Sequence, residues 1–400
     1  MRQCSIDQLT EEMVLGKSIY AKDGTLLLGA GYRIKAAYIR RLKQSGYPFV
    51  YIMEEGTEDV IPEDIISDQI RMQTSAELSK TLEDVKRTTG IGRVRREDIR
   101  KILEDEQRLK QVVLTPNLKV CVGNIVEEII TSQKDILDTA FMKCHGDFAM
   151  QHAIDVAILT IVLARKYHYN KEDLMTAGLG ALLHDIGKIA VTESAEGSER
   201  KRSPEEQDLL REHPTFGYLM LSKIPGISLV VAHIAYQHHE RQDGEGYPRG
   251  LTGDNTPPIE AISRTSKILR HAEIVGVADA YDNLTSDTPD SRAIPPEEAM
   301  KRLIEDAGSK LNRHIIAMAS QVIPVYPVGA VIKVVECRDR TLIGCVGVVA
   351  AVQEESLNTP EVILLFDRFG RRLKPQRITL SEESTMRIEL VLADSNFVHA

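Results

Sequence analysis

The chain has 400 residues, a formal net charge of −9, 42% hydrophobic and 27% charged residues, and no tryptophan. That length suits two or three domains of ordinary globular composition with aliphatic cores. The acidic balance excludes a protein that wraps polymeric nucleic acid through clustered lysine and arginine, and the most apolar stretch, residues 153–164, contains Asp155 and falls short of the ~20 residues of a membrane span.

Residues 13–20 and 25–28 read as strands around a Lys22-Asp23-Gly24 turn, residues 34–44 have helical spacing, and residues 49–52 are extended. Residues 1–60 are therefore expected to form a small α/β unit, rich in strand and lacking a catalytic constellation. The acidic run 54–64 reads as a linker. Residues 61–114 are charge-dense, with Leu78, Leu82, Val85, Ile99, Ile102, Leu103 and Leu109 at helical intervals. They form either a signalling or dimerising stalk, which would make the protein a homodimer, or a pair of amphipathic helices packed on the next unit. Residues 115–325 are helical, packed by Val156, Leu159, Leu163, Leu174, Leu179, Leu182 and Leu183. At Ile323-Pro324-Val325-Tyr326-Pro327 the pattern changes to β-branched runs at 331–335, 342–350, 362–366 and 388–392, with Asp367-Arg368-Phe369-Gly370 as a hairpin turn. Residues 326–400 are expected to form a small antiparallel β-barrel-like domain. Its Arg338, Arg340, Arg368, Arg371, Arg372, Lys374 and Arg377 suit an anionic ligand or a protein partner, or are simply a solvated sheet face.

The chemistry lies in the helical middle. His152, the pair His184-Asp185, His213, the pair His238-His239, and Asp279 supply imidazoles and carboxylates, the donors of a metallohydrolase. His184-Asp185 follows an apolar helical run, 174–183, which Gly187 is expected to end. An adjacent imidazole and carboxylate suit a site where the carboxylate bridges two cations, and Lys188, one turn beyond His184, can reach an anionic substrate. Ser203-Pro204-Glu205-Glu206 is a capping box with proline at the first helical position, predicting a helix to about residue 212 that Pro214 breaks and restarts beside His213. Residues 227–238 form a helix with Val230, Val231, Ile234 and Ala235 inward, ending at His238-His239. Glu240-Arg241-Gln242-Asp243-Gly244-Glu245-Gly246-Tyr247-Pro248 then demands a loop against the paired histidines. His145, His168, His271, His314 and His399 lack such context, and His233 reads as packing. The polar stretch 192–202 is either a lid or a solvated loop. Cys4, Cys121, Cys144, Cys337 and Cys345 lack Cys-x-x-Cys spacing and read as reduced thiols. With no signal-peptide pattern the expected location is cytoplasmic.

His184-Asp185, the run from His238-His239 through Asp243-Gly244 to Gly246-Tyr247-Pro248, and Val277-Ala278-Asp279-Ala280-Tyr281-Asp282 closely resemble the HD-GYP phosphohydrolases. The resemblance covers roughly residues 115–325. It implies a helical HD-type catalytic domain, a mainly α fold overall, and hydrolysis of cyclic di-GMP, with pGpG or GMP open as the final product. It also implies two divalent metal ions, iron or manganese, although zinc remains open on donor type alone. One ion would be held by His152, His184, Asp185 and Asp279, the other by Asp185, His213, His238 and His239. Asp185 would bridge them, and a hydroxide shared between the ions would attack phosphorus. Lys188 would contact the scissile phosphate, with the leaving 3′-oxygen protonated by Lys188 or by metal-bound water. Arg241, Asp243, Gly244, Gly246, Tyr247 and Pro248 would line the substrate site.

The sequence departs from the family pattern in three places. Where some members place a glutamate for a third metal, this chain has Phe148, with Asp147 one residue off register, so a two-metal site is expected. The usual phosphate-binding arginine is replaced by Thr288, leaving Arg292 as the nearest substitute. Residues 252–273 form a longer stretch than the family pattern leads one to expect. The alternatives are therefore an HD hydrolase of another cyclic dinucleotide or nucleotide, and a weakly catalytic cyclic di-GMP sensor whose terminal domains relay occupancy to a signalling partner.

Overall fold

A computed structural model describes residues 1–20, 26–44, 47, 49–91, 96–112, 116–132, 136–137, 148–191, 203–259, 266–287, 291–381 and 385–391. The N-terminal unit pairs β1 (Arg2–Ser5) with β4 (Phe49–Ile52) and β2 (Ile19–Tyr20) with β3 (Leu26–Leu28), with α1 (Ala36–Gln44) against them. Leu15, Ile34, Val50 and Ile52 are fully buried in its small core.

The middle of the chain is a stack of helices: α2 (Asp68–Thr89), α3 (Ile99–Glu104), α4 (Glu106–Leu109), α5 (Pro116–Thr131), α6 (Phe148–Lys166), α7 (Lys171–Leu182), α8 (Pro204–Leu210), α9 (His213–Leu221), α10 (Leu229–Gln237), α11 (Arg270–Leu284), α12 (Pro296–Glu305) and α13 (Arg313–Ala319). Their starts follow local chemistry. Ser67, Asn170 and Ser228 each accept a backbone N–H of the first turn of α2, α7 and α10, and Ser203 with Glu206 makes the expected capping box on α8. A single apolar core runs from Ile66 to Ile323 and takes in Leu78, Val85, Leu103 and Leu109, so α2 to α4 lie on α5, α6 and α9 rather than standing away from them.

Two expectations about element ends are corrected. Helix α7 stops at Leu182, and a 3-10 turn, Ile186–Ala190, follows, so Gly187 lies inside that turn and does not cap α7. A Cβ on Gly187 would sit 1.9 Å from the His213 carbonyl oxygen, so glycine is needed there for α9 to come close. The C-terminal strands β5 (Val331–Glu336), β6 (Val346–Gln353), β7 (Ser356–Phe366), β8 (Arg372–Thr379) and β9 (Arg387–Leu390) form one antiparallel sheet in the order β8-β7-β6-β5-β9. The β-barrel-like expectation is not met among the described residues. The edge strands β8 and β9 share no ladder, so the sheet stays open.

The acidic run 54–64 is not a free linker. Thr57 and Val60 are fully buried, and Val60 joins Val328, Val348, Ile363 and Leu365 in a cluster on one face of the C-terminal sheet. Arg372 pairs with Glu54, and Arg377 with Asp59 and Glu361. Two of the basic residues read as a solvated or ligand-binding face thus fasten the sheet to the N-terminal segment. The edge position of β8 tolerates Pro375, which lacks an N–H and packs on Gly56.

A buried ion pair joins α2 to α6. Arg71 meets Asp155 with side-chain exposures of 14% and 1%, and Asp155 lies one helical turn beyond His152. Removing one partner of such a pair leaves an uncompensated buried charge, which costs on the order of 3–5 kcal/mol. Arg71→Leu is expected to lower the denaturation midpoint accordingly, while the double variant Arg71→Leu, Asp155→Leu recovers most of the loss. A single-variant midpoint equal to wild type would show that the pair contributes nothing.

Candidate metal centre

The elements deliver their side chains from five directions. Helix α6 carries His152, the end of α7 carries His184 and Asp185, the start of α9 carries His213, the end of α10 carries His238 and His239, and α11 carries Asp279. His152, His184, His213 and His238 are each exposed by 3% or less, so their ring nitrogens need partners inside the protein.

Three of the rings are aimed by the same device. The Nδ1–H of His184 donates to the Ala181 carbonyl (2.7 Å), that of His213 to Leu210 (2.6 Å), and that of His238 to Ala235 (2.9 Å). Each acceptor lies three residues earlier, in the last turn of a helix, where carbonyls lack a helical partner. A carbonyl can only accept, so the proton sits on Nδ1, and in the neutral ring Nε2 presents a lone pair to the centre. His152 is aimed differently, its Nδ1 lying 2.7 Å from Oδ2 of Asp282.

The consequence is a set of lone pairs pointed at one another. Nε2 of His213 and Nε2 of His238 are 3.3 Å apart, as are those of His152 and His184. Between the two pairs lies Asp185. Its Oδ1 is 3.1 Å from Nε2 of His213, and its Oδ2 is 3.3 Å from Nε2 of His184 and 3.6 Å from that of His152. Asp279 Oδ1 is 3.1 Å from Nε2 of His152. Oδ1 of Asp185 is buried with no hydrogen-bond donor. One donor atom from each of Asp185, His213, His238 and His239 falls within 4.8 Å of the others, and so does one from each of His152, His184 and Asp279. Facing lone pairs and an unsatisfied carboxylate oxygen repel each other unless a cation lies among them, so these residues fit divalent metal ions by both donor type and arrangement.

The charge balance of the protein alone points the same way. Burial opposes charge on His152, but hydrogen bonds from its ring to Asp185, Asp279 and Asp282 outweigh it and raise its pKa well above the ordinary value. Burial likewise opposes charge on His184, yet Asp185 and Asp279 lift it to about 9. His238 falls well below the usual range through burial and the neighbouring imidazoles, and His239 is pushed down to about 3 by burial and His213. Asp185 and Asp279 stay well below the carboxylate range although burial works against them, because His184 and His152 face them. The cavity therefore holds negative charge that calls for a cation on the His152 side and neutral, lone-pair-bearing rings on the other.

The remaining expected residues are placed as follows. Lys188, in the 3-10 turn, ion-pairs with Oδ2 of Asp185. Arg241 is folded back on its own loop, with Nε 3.1 Å from Asp243 and a further contact to Glu245 at 3.5 Å. Gly244 has φ +84°, and a Cβ on Gly246 would lie 2.4 Å from the Arg241 backbone nitrogen. That close packing brings the Tyr247 ring onto His239, 4.8 Å between centroids and nearly parallel, with Pro248 half-buried beside it. Arg292 lies ahead of α12, while Thr288, Asp147 and residues 192–202 fall outside the described residues, as does the Phe148 side chain. His233 packs between Tyr218 and Tyr236 and contacts Gln237, away from the donor groups, as expected.

Sequence reasoning missed three residues that shape the site. Asp282 lies on the same face of α11 as Asp279 and fixes the His152 ring; the three-residue spacing of the two aspartates was the available signal. Glu240, only 6% exposed, accepts the backbone N–H of Arg249 (2.8 Å) and Leu251 (2.7 Å) and so closes the loop after His239. Gln242 donates to Glu273 on α11 (2.7 Å) and accepts from Asn255 N–H (3.0 Å), holding the loop to the helix that bears Asp279.

A helical cage with two adjoining His/Asp donor groups and a carboxylate between them is the architecture of a metal-dependent HD domain. Residues 125–315 match the HD domain family. The chain is similar to a cyclic di-GMP phosphodiesterase of Pseudomonas aeruginosa, 29% identical over 68% of this chain and 61% of the relative. It is also similar to the cyclic di-GMP phosphodiesterase response regulator RpfG of Xanthomonas campestris, 34% identical over 37% of this chain and 36% of that one. A third relative is the 3'3'-cGAMP-specific phosphodiesterase 3 of Vibrio cholerae, 26% identical over 48% of this chain and 41% of that one. The chain thus spans less than two thirds of the length of these curated relatives. Among the described residues no helix is long and apolar enough to cross a membrane.

Loss of a partner that orients a histidine ligand typically lowers metal affinity 10–100-fold. Asp282→Asn is expected to weaken binding by about that factor, measured by competition with a metallochromic chelator, at an unchanged helical circular dichroism spectrum. Wild-type affinity in the variant would mean that packing alone orients His152.

Proposed function

We propose that this protein is a metal-dependent phosphodiesterase that hydrolyses cyclic di-GMP to pGpG and then to GMP. The observation that carries the reading is Asp185, whose two oxygens face two separate imidazole groups. His152, His184, Asp185 and Asp279 would hold one cation, and Asp185, His213, His238 and His239 the other. Imidazole with carboxylate suits iron or manganese. When bound, such a pair supplies Lewis acidity and lowers the pKa of water so that it attacks phosphorus at neutral pH.

The chain's own residues do the rest. Lys188, already drawn to Asp185, is placed to contact the scissile phosphate and to give a proton to the departing 3′-oxygen. Buried Asp282 keeps His152 in one orientation, so that no reorganisation is required as charge builds on phosphorus. The tight turn at Gly246 sets Tyr247 as a flat wall beside His239, against which a base or ribose can lie, and Arg241, Asp243, Gly244, Pro248 and Arg292 complete the proposed substrate edge. The matches to phosphodiesterases of cyclic di-GMP support this reading. In this reading the N-terminal unit (1–60), the helical connector (61–114) and the C-terminal sheet (326–400) flank the catalytic part (115–325), and the protein works in the cytoplasm.

The test is anaerobically purified protein, assayed with a panel of cyclic dinucleotides that includes 3′3′-cGAMP, since one relative is named for it. Two cations per chain and preferential cleavage of cyclic di-GMP are expected, with activity lost on chelation. Preferential cleavage of another member of the panel would reassign the substrate, and metal-loaded protein that cleaves none would reject catalysis. Asp185→Asn should abolish turnover with the fold retained, because it removes charge but little volume, whereas His233→Gln should keep turnover within a few-fold of wild type. Equal losses in the two variants would show the ligand assignment to be wrong.

A further inference from the structure

We infer that Arg211 is a substrate-binding residue that holds a phosphate of the cyclic dinucleotide other than the one being cleaved; the inference rests on the proposed function. Arg211 ends α8, two residues before His213, and is exposed. Its guanidinium lies over the Tyr247 ring, 5.2 Å from the centroid, and the other side of the contact series is Tyr247 on His239. Tyr247 therefore touches both the exposed Arg211 and His239, one of the candidate metal donors. An arginine held by an aromatic face keeps its N–H fork free in the ring plane of the guanidinium, where it suits a phosphate.

The neighbouring charges make Arg211 distinctive. Arg241 is engaged by Asp243 and Glu245, and Lys188 by Asp185. Among the described residues no carboxylate pairs with Arg211. The adjacent acid, Glu212, points away to Arg100 on α3, 2.7 Å, which also fixes the α8–α9 junction in place. The cyclic substrate carries two phosphates. Once one is at the metal centre with Lys188, the second needs a cation further out, and the contact with Tyr247 places Arg211 in that direction. This also accounts for a functional site in a chain that has Thr288 where the resemblance leads one to expect a phosphate-binding arginine.

The experiment compares Arg211→Gln and Arg211→Lys with wild type in two measurements. The first titrates cyclic di-GMP against proteins that also carry Asp185→Asn, at fixed ionic strength. The second measures kcat and KM for cyclic di-GMP and for bis(p-nitrophenyl) phosphate, which has a single phosphate. Arg211→Gln is expected to weaken cyclic di-GMP binding about tenfold or more, the value of a charge-assisted contact, and to raise its KM far more than that for the one-phosphate ester. Arg211→Lys should recover only part of the loss, since it restores the charge but not the fork. An unchanged dissociation constant, or equal losses on both substrates as expected if Arg211 merely packs on Tyr247, would overturn the inference. Failure of wild-type protein to cleave cyclic di-GMP while the titration still responds to Arg211 would reject the proposed function and leave the binding residue standing.

Discussion

One constraint governs the centre: the buried imidazoles of His213 and His238 are turned so that their Nε2 atoms, not their Nδ1–H groups, face one another. Left to itself, a pair of neutral rings with Nε2 atoms 3.3 Å apart would rotate or tautomerise so that one nitrogen donated to the other. The Nδ1 hydrogen bonds forbid this. Because those bonds use carbonyls in the last turns of α7, α8 and α10, the ends of the helices are themselves the aiming device. The helices must stop where they do, without the C-terminal glycine that would otherwise satisfy the same carbonyls. The centre is therefore held in an arrangement that is electrostatically poor on its own and good with cations present.

Such a cage has to be braced from outside, and the chain provides this by unusual means. Helix α6 brings His152 from one side, and α2 grips that same helix one turn away through Arg71 and Asp155. Lys17 of the N-terminal unit meets Asp64, just ahead of α2. The segment between β4 and α2 carries Glu54 and Asp59, which anchor β8 of the C-terminal sheet. The N-terminal segment thus contacts both the C-terminal sheet and the stretch leading into α2.

The candidate metal donors were legible as a group because most stand where a local signal changes: a capping box before His213-Pro214, an apolar helical run before His184-Asp185, a glycine-rich loop after His238-His239. Those are features of short sequence range, and the structure brings all seven residues together. What could not be read depends on distant partners. Thr57 and Val60 lie in a run whose acids suggest a linker, yet a sheet some 300 residues later covers them. Strand β8, Arg372–Thr379, is so polar that nothing in its composition announces a strand, because it is an edge whose arginines meet acids of the N-terminal segment. Gly187 was readable as a glycine with a purpose but not as the right purpose. It serves contact with α9 rather than termination of α7, and only the fold supplies the contact.

The same distinction separates the two kinds of arginine at the site. Arg241 lies inside the recognisable loop and looks like the natural phosphate ligand, but Asp243 and Glu245, two and four residues on, are close enough to neutralise it locally. Arg211 lies outside any motif, yet its acidic neighbour Glu212 is drawn to Arg100, more than a hundred residues earlier in the chain. Whether a side chain's charge is available to a ligand is decided by where its neighbours' opposite charges are spent, and that is a property of tertiary structure. A substrate grip can therefore be intact where the motif lacks its arginine, provided that a cation from a neighbouring helix end reaches the same space. In this chain the aromatic ring of Tyr247, set by the turn at Gly246, lies between that cation and His239 of the candidate metal centre.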